Sequence, residues 1–286
     1  MSGKIFKNVL VIGAGQMGSG IGQVIAQNGV NVTFYDSYGP SLNRSKETIE
    51  KSLNKLFEKK KITEEPKNIL ARINYIDDLA KANKETDFCI EAVVEDFEIK
   101  KDLFKKLDEI MNPDCIFASN TSSISITKMA ATISRPDKFL GVHFMNPVPI
   151  MKLVELINGI GTNEKVFKQT RQFVESLGKT VVVSKDSPGF IINRILMPWI
   201  NEAFFALNEK LANAEDIDTG MKLGTNVPMG PLQLADFVGL DTCLYICEVL
   251  HKELGEDKYR PSSLMRNYVN AGWLGRKTKK GVYTYE

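Results

Sequence analysis

A histidine is the one side chain that gains or loses a proton near neutral pH without help from its surroundings. This chain holds two, His143 and His251, far apart in sequence. His143 closes the apolar run 140–143 and is followed by Phe144-Met145-Asn146-Pro147. Twelve residues later Glu155 stands inside Leu153-Val154-Glu155-Leu156-Ile157. A charge within an apolar strand needs a partner, because an unpaired buried charge is costly. His143 is the economical one. A carboxylate held against one ring nitrogen fixes the tautomer, favours the protonated form and leaves the other nitrogen to act as a general acid or base. The plainer readings stay open at this point: a hydrogen-bonded core histidine, and a carboxylate on a strand edge.

A second constellation is Gly13-Ala14-Gly15-Gln16-Met17-Gly18, directly after the apolar run 8–12 and opening a helical pattern. The first glycine permits the tight turn. The second lets backbone approach a pyrophosphate, and the third lets helix and strand pack closely. The helix start then offers unpaired N–H groups and partial positive charge to phosphates. The next strand pattern, 31–35, ends at Asp36, 18 residues beyond Gly18. An acid there accepts hydrogen bonds from both adenosine ribose hydroxyls and repels a 2′-phosphate, which favours NAD over NADP. Arg44, close by, would soften that preference. A glycine turn in a nucleotide-free sheet is the alternative.

These residues need strands to carry them. Runs at 8–12, 31–35, 87–93, 115–118, 140–143, 154–156 and 180–183 read as strands, with helical patterns at 18–27, 43–61, 99–110 and 164–177. Such alternation predicts crossover units and a mainly parallel sheet. Open parallel sheets bind ligands outside the carboxyl ends of their strands. Here those ends lead to Glu95 and Lys100, to Ser119-Asn120-Thr121-Ser122-Ser123, and to His143. After Ser187-Pro188-Gly189 the pattern becomes helical, at 190–210 (with Pro198 marking a kink), 214–222, 232–250 and 263–269. The expected fold is therefore α/β: a Rossmann-type, mainly parallel sheet domain over 1–186, then an all-helical domain over 187–286.

Composition narrows the partners. Lys and Arg number 37 against 35 Asp and Glu, so no overall charge draws the chain to nucleic acid or anionic lipid. The apolar stretch 190–207 contains Asn193, Arg194, Pro198, Asn201 and Glu202 and does not read as a membrane span. Lys4 and Lys7 precede an apolar run too short for a signal peptide. Cys89, Cys115, Cys243 and Cys247 lack metal or redox spacing and read as small hydrophobes in a reducing cytoplasm. No metal is expected.

Four segments carry a resemblance over nearly the whole chain: 119–123; Gly141-Val142-His143-Phe144-Met145-Asn146-Pro147; Pro188-Gly189-Phe190-Ile191-Ile192-Asn193-Arg194; and Gly230-Pro231 through Gly239-Leu240-Asp241. In order and spacing they resemble the 3-hydroxyacyl-CoA dehydrogenase family, and its short-chain form in size and layout. The resemblance implies reversible NAD-dependent oxidation of an L-3-hydroxyacyl-CoA, with a short-chain acyl-CoA as substrate. His143 would be the acid/base, Glu155 its orienting partner, and Ser122 and Asn193 hydrogen-bond donors near the reacting oxygen, in a cleft between the domains. Gly13, Ala14, Gly15, Gln16, Met17, Gly18, Asp36, Glu95, Lys100, Ser122, Asn146 and Lys277 would line the cofactor. Ser52 and Lys59 would touch coenzyme A, their separation of seven placing them on one helix face. A homodimer is implied as well. Met145, Lys279 and Val282 depart from the family's usual phenylalanine, glycine and aromatic. Two rivals stay open: a dehydrogenase of free hydroxy acids or sugar acids, and a non-catalytic protein retaining NAD.

Overall fold

The computed structural model describes residues 5–286, so Lys4 lies outside the described residues. The chain forms two compact units, the first ending at Ser187 and the second Pro188–Glu286.

The first unit is built on eight strands: β1 (Asn8–Ile12), β2 (Asn31–Tyr35), β3 (Ile73–Ile76), β4 (Phe88–Glu91), β5 (Ile116–Ser119), β6 (Phe139–Phe144), β7 (Leu153–Asn158) and β8 (Thr180–Lys185). They make one sheet in the order β3-β2-β1-β4-β5-β6-β7-β8. Val9 to Ile12 are all buried, as expected for a strand covered on both faces. The first six strands pair in parallel, in the order that places a topological switch between β1 and β4. Helices α1 (Gln16–Gln27), α2 (Gly39–Glu58), α3 (Pro66–Leu70), α4 (Phe97–Ile110), α5 (Ile126–Ala130) and α6 (Glu164–Ser176) complete the unit.

β7 runs antiparallel to β6, with His143 directly opposite Glu155. The segment joining them, residues 145–152, is shorter than the dozen or so residues a parallel crossover needs. A hairpin is the only short solution.

The second unit is helical: α7 (Ile192–Asn208), α8 (Ala214–Gly224), α9 (Pro231–Val238), α10 (Leu240–Leu254) and α11 (Ser263–Asn270). Met197, Ile200, Phe204, Leu232, Leu240, Cys243, Cys247 and Met265 form its core. All four cysteines are buried. Its closing tail is held from below by two carboxylates. Asp236, 1% exposed, accepts from Val282 N, Tyr283 N and the Tyr285 hydroxyl. Asp218 accepts from Leu232 N and Gln233 N at the start of α9, and from the Tyr283 hydroxyl.

Several boundaries differ from the sequence expectation. The stretch 232–250 is two helices, because Gly239 turns the chain at φ 104° between α9 and α10. The helix expected over 43–61 begins four residues earlier and ends at Glu58, since Lys60 lies in the left-handed region at φ 53°. Strand β3 was not expected. It is only four residues long, lies on the sheet edge, and its apolar run is broken by Asn74. The helix α7 continues through Pro198, which withholds only one main-chain donor there. Among the described residues no helix is long and apolar enough to cross a membrane, and no group of His, Cys, Asp and Glu could hold a metal ion.

Candidate active site

The nucleotide-binding turn lies at the end of β1. Gly13 N donates to Tyr35 O at 2.8 Å, tying the turn to the end of β2. No side chain caps the first turn of α1. A Cβ on Gly15 would meet nothing within 4 Å, whereas one on Gly18 would lie 1.8 Å from Gly13 O. One glycine therefore leaves room for a ligand and the other lets helix and turn touch. Asp36 is fixed by two main-chain donors: its Oδ2 accepts from Ala14 N at 2.8 Å and its Oδ1 from Tyr38 N at 2.9 Å. Beside it a cavity of about 350 Å³ is lined by Gly13, Asp36, Ser37, Leu79, Val93 and Ile99. An apolar slot for a base, a carboxylate for a ribose and unpaired N–H groups for a pyrophosphate together fit a dinucleotide. Met17 packs against the core, supporting the turn from behind.

Four strands along, the β6–β7 register brings His143 Nδ1 to 2.7 Å from Glu155 Oε2. Glu155 is fully buried and His143 is 6% exposed. An ionised carboxylate only accepts, so Nδ1 donates and the tautomer is set. The other ring nitrogen, Nε2, faces Ser122 Oγ at 3.1 Å. The result is a carboxylate–imidazole–hydroxyl chain beyond the carboxyl end of β5, able to take or return a proton at Nε2.

Ser122 is itself held by Glu95. One oxygen of Glu95 accepts from Thr121 Oγ1 (2.5 Å), Ser122 N (2.9 Å), Ser123 N (3.0 Å) and Ser123 Oγ (3.0 Å). Lys100 Nζ lies 3.2 Å from its other oxygen. Burial pushes the Glu95 pKa up, but the Lys100 ammonium and the donors of the 121–123 turn outweigh it and hold the carboxyl below its ordinary value. Lys100, 1% exposed, also donates to Glu91 at 2.5 Å. Glu91, fully buried at the end of β4, accepts in addition from Ser119 Oγ (2.6 Å) and Val93 N (2.7 Å). Asn120 Oδ1 accepts from Phe144 N at 2.8 Å, fastening the residue after His143 to the 119–123 segment. Glu91 and Asn120 were missed from sequence. Glu91 is a charge in the apolar run 87–93, the same signal that singles out Glu155.

On the near side of the turn, Gln16 Nε2 donates to Asn146 Oδ1 at 3.1 Å. A second cavity, about 420 Å³, is lined by Gly15, Gln16, Arg44, Thr48, Ser52 and Asn146 among others. Lys59 is exposed and caps the carboxyl end of α2, one residue past the helix. In the second unit Asn193 occupies the first turn of α7, and Lys277 Nζ pairs with both carboxylate oxygens of Asp241 at 2.5 and 2.6 Å. Lys279 adopts the left-handed conformation, φ 58°, where a glycine would be at ease, and Val282 packs against the helical core.

A switch point flanked by a glycine turn, with an acid closing the second strand, defines the class: the NAD-dependent dehydrogenases. Residues 8–187 match the model of the 3-hydroxyacyl-CoA dehydrogenase NAD binding domain, and residues 189–285 match that of the 3-hydroxyacyl-CoA dehydrogenase C-terminal domain. The chain belongs to this family. It is 54% identical over 275 residues to a probable 3-hydroxybutyryl-CoA dehydrogenase of Deinococcus radiodurans, covering 96% of this chain and 99% of the relative. The mitochondrial hydroxyacyl-coenzyme A dehydrogenase of Homo sapiens is 43% identical over 290 residues, 99% of this chain and 92% of that one. Among solved structures, (S)-3-hydroxybutyryl-CoA dehydrogenase from Ralstonia eutropha superposes with a TM-score of 0.95 at 48% identity, covering 98% of this chain and 99% of that chain.

Proposed function

We propose that the enzyme interconverts short-chain L-3-hydroxyacyl-CoA and 3-ketoacyl-CoA, 3-hydroxybutyryl-CoA and acetoacetyl-CoA above all. The observation that carries this reading is the buried Glu155–His143 pair with Ser122 on its outer nitrogen, in the same sheet as a dinucleotide turn. In the oxidative direction His143 Nε2 takes the proton of the substrate hydroxyl. In the reductive direction it returns one. Glu155 stabilises the imidazolium that forms and keeps the ring from turning. Ser122 donates a hydrogen bond to the reacting oxygen. NAD, when bound, supplies the hydride acceptor.

Within the first unit Gly13, Ala14, Gly15, Gln16, Gly18, Asp36, Glu95, Lys100, Ser122 and Asn146 would hold the cofactor, with Lys277 contributing from the tail. Ser52, on the wall of the 420 Å³ cavity, and the exposed Lys59 would engage coenzyme A. Asn193 is read as a substrate-binding amide. The relatives named above support this substrate class through their own names. We further propose a homodimer formed through the helical unit, whose surface leaves Ile195, Leu211, Leu223 and Phe237 exposed.

The test is NADH oxidation with acetoacetyl-CoA, a longer 3-ketoacyl-CoA and free acetoacetate side by side. Turnover of the acetoacetyl thioester, falling with acyl length and lost with the free acid, is the expected result. Equal or better activity on the free acid would replace this reading with the hydroxy-acid alternative. Tight NADH binding without turnover of any of the three would replace it with a non-catalytic one.

A further inference from the structure

Lys179 lies between α6 and β8 and is 9% exposed. Among the described residues no carboxylate pairs with it. Its ammonium donates instead to two main-chain carbonyls, Val148 O at 2.6 Å and Met151 O at 2.8 Å. Both belong to the 145–152 segment that closes the β6–β7 hairpin. That segment contains a tight turn in which Ile150 N and Met151 N both bond Pro147 O at 3.0 Å. Carbonyls 148 and 151 are thus gathered on one positive charge, as at the carboxyl end of a helix.

A buried cation is expensive to keep, and a surface loop is ordinarily free to move. This loop is held on its other side as well. A Cβ placed on Gly20 of α1 would come within 2.8 Å of the Val148 Cβ, so the loop rests directly on the helix that follows the nucleotide turn. Asn146, at the start of the same loop, accepts from Gln16 of that helix. The loop therefore spans from the His143 strand to the nucleotide turn, and Lys179 is the charged group that fixes it.

We propose that Lys179 is a positioning residue: by clamping the carbonyls of Val148 and Met151 it sets the place of Asn146 against the cofactor. The proposal rests on Asn146 facing the cofactor, as read above. It does not require Lys179 to touch cofactor or substrate.

A double-mutant cycle tests it, with NADH affinity read by fluorescence and KM measured for NADH and acetoacetyl-CoA. Lys179→Met and Asn146→Ala are each expected to weaken NADH roughly 10-fold, and the double variant to be little worse than Asn146→Ala alone, since the two act through one contact. The KM for acetoacetyl-CoA should rise as well, because Asn146 and Val148 also line the cavity that holds Ser52; what general loosening of the fold would not give is the absence of a further loss in the double variant. Lys179→Arg, which keeps a charged donor, should recover most of the affinity. Should Lys179→Met not fold, Lys179→Gln takes its place, with an intermediate weakening expected because one amide donor can still reach one carbonyl. Parent affinity in Asn146→Ala overturns the cofactor-facing role of Asn146 and this proposal with it. Weakened binding in Asn146→Ala beside parent affinity in Lys179→Met (or →Gln), or effects that multiply in the double variant, overturns the role of Lys179 alone.

Discussion

Replacing His143 by glutamine keeps a polar side chain of similar reach and removes the group that exchanges a proton near neutral pH. General acid–base assistance contributes roughly 100- to 10,000-fold. His143→Gln should therefore lose at least about 100-fold in kcat while its NADH affinity, by fluorescence, stays near that of the parent. Glu155→Gln should lower kcat, because an amide no longer fixes the tautomer of His143 or balances the imidazolium formed during turnover; a kcat equal to the parent's would show the pair is not coupled in turnover. Asp36 makes a different prediction. Both its oxygens are pinned by main-chain N–H groups, so its charge is fixed in place rather than mobile. Asp36→Ala should erode discrimination between NADH and NADPH, measured as the ratio of their kcat/KM values, more than it lowers turnover. These residues were legible in the sequence because each breaks a local rule: a carboxylate in an apolar run, an acid closing a strand, a lone histidine at a strand end. Lys179 and Asn120 were not. A lysine after a helix and an asparagine in a serine-rich turn look like ordinary surface chemistry until the chain folds over them.

At the scale of the element, the turn 121–123 shows how a loop is made rigid without regular structure. Four donors converge on one oxygen of Glu95, and Lys100 balances the charge. A carboxylate held below its ordinary value stabilises the fold above that value, 4.5 for glutamate, and the contribution is lost as pH falls through the depressed folded value. Glu95→Gln should accordingly have a lower Tm than the parent at neutral pH, with the gap closing as pH drops below 4.5. Thermal unfolding of both proteins between pH 3 and pH 8 would show it; a constant gap would mean that the charge of Glu95 contributes nothing. The short strands β1 and β2 match the sequence expectation to the residue, whereas the long helix α2 is displaced at both ends and two elements were missed or merged. β3 has four residues, with Asn74 breaking its apolar run, and the α9–α10 break depends on the φ of one glycine, Gly239, which an apolar helical pattern runs straight across. The β6–β7 hairpin sits between these cases. Its strands were visible but its direction followed only from the length of the link.

For the whole molecule, the chain divides into two units after Ser187, where the sequence reading placed the boundary after residue 186. Each unit closes its own core, the first around a sheet whose strands β4, β5 and β6 are buried along their whole length and the second among helices whose apolar faces meet at Phe204 and Leu240. The sheet order was not legible residue by residue, since parallel strands of similar composition carry no label for their neighbours. The tail was the least readable part, because what holds it, Asp218 and Asp236, lies up to 65 residues away in sequence.

That attachment sets residues 282–285 apart from an ordinary exposed segment. Tyr283 and Tyr285 supply hydroxyls to carboxylates of which one is 8% and the other 1% exposed. A stop codon after Val282 would remove only surface residues by position, yet would leave two interior anions short of donors at a cost of about 1–3 kcal/mol each. Thermal melting of that shortened enzyme should fall by several degrees, whereas loss of Glu286 alone should be silent. A second protein joined beyond Tyr285 would be built onto a plug already seated in its socket.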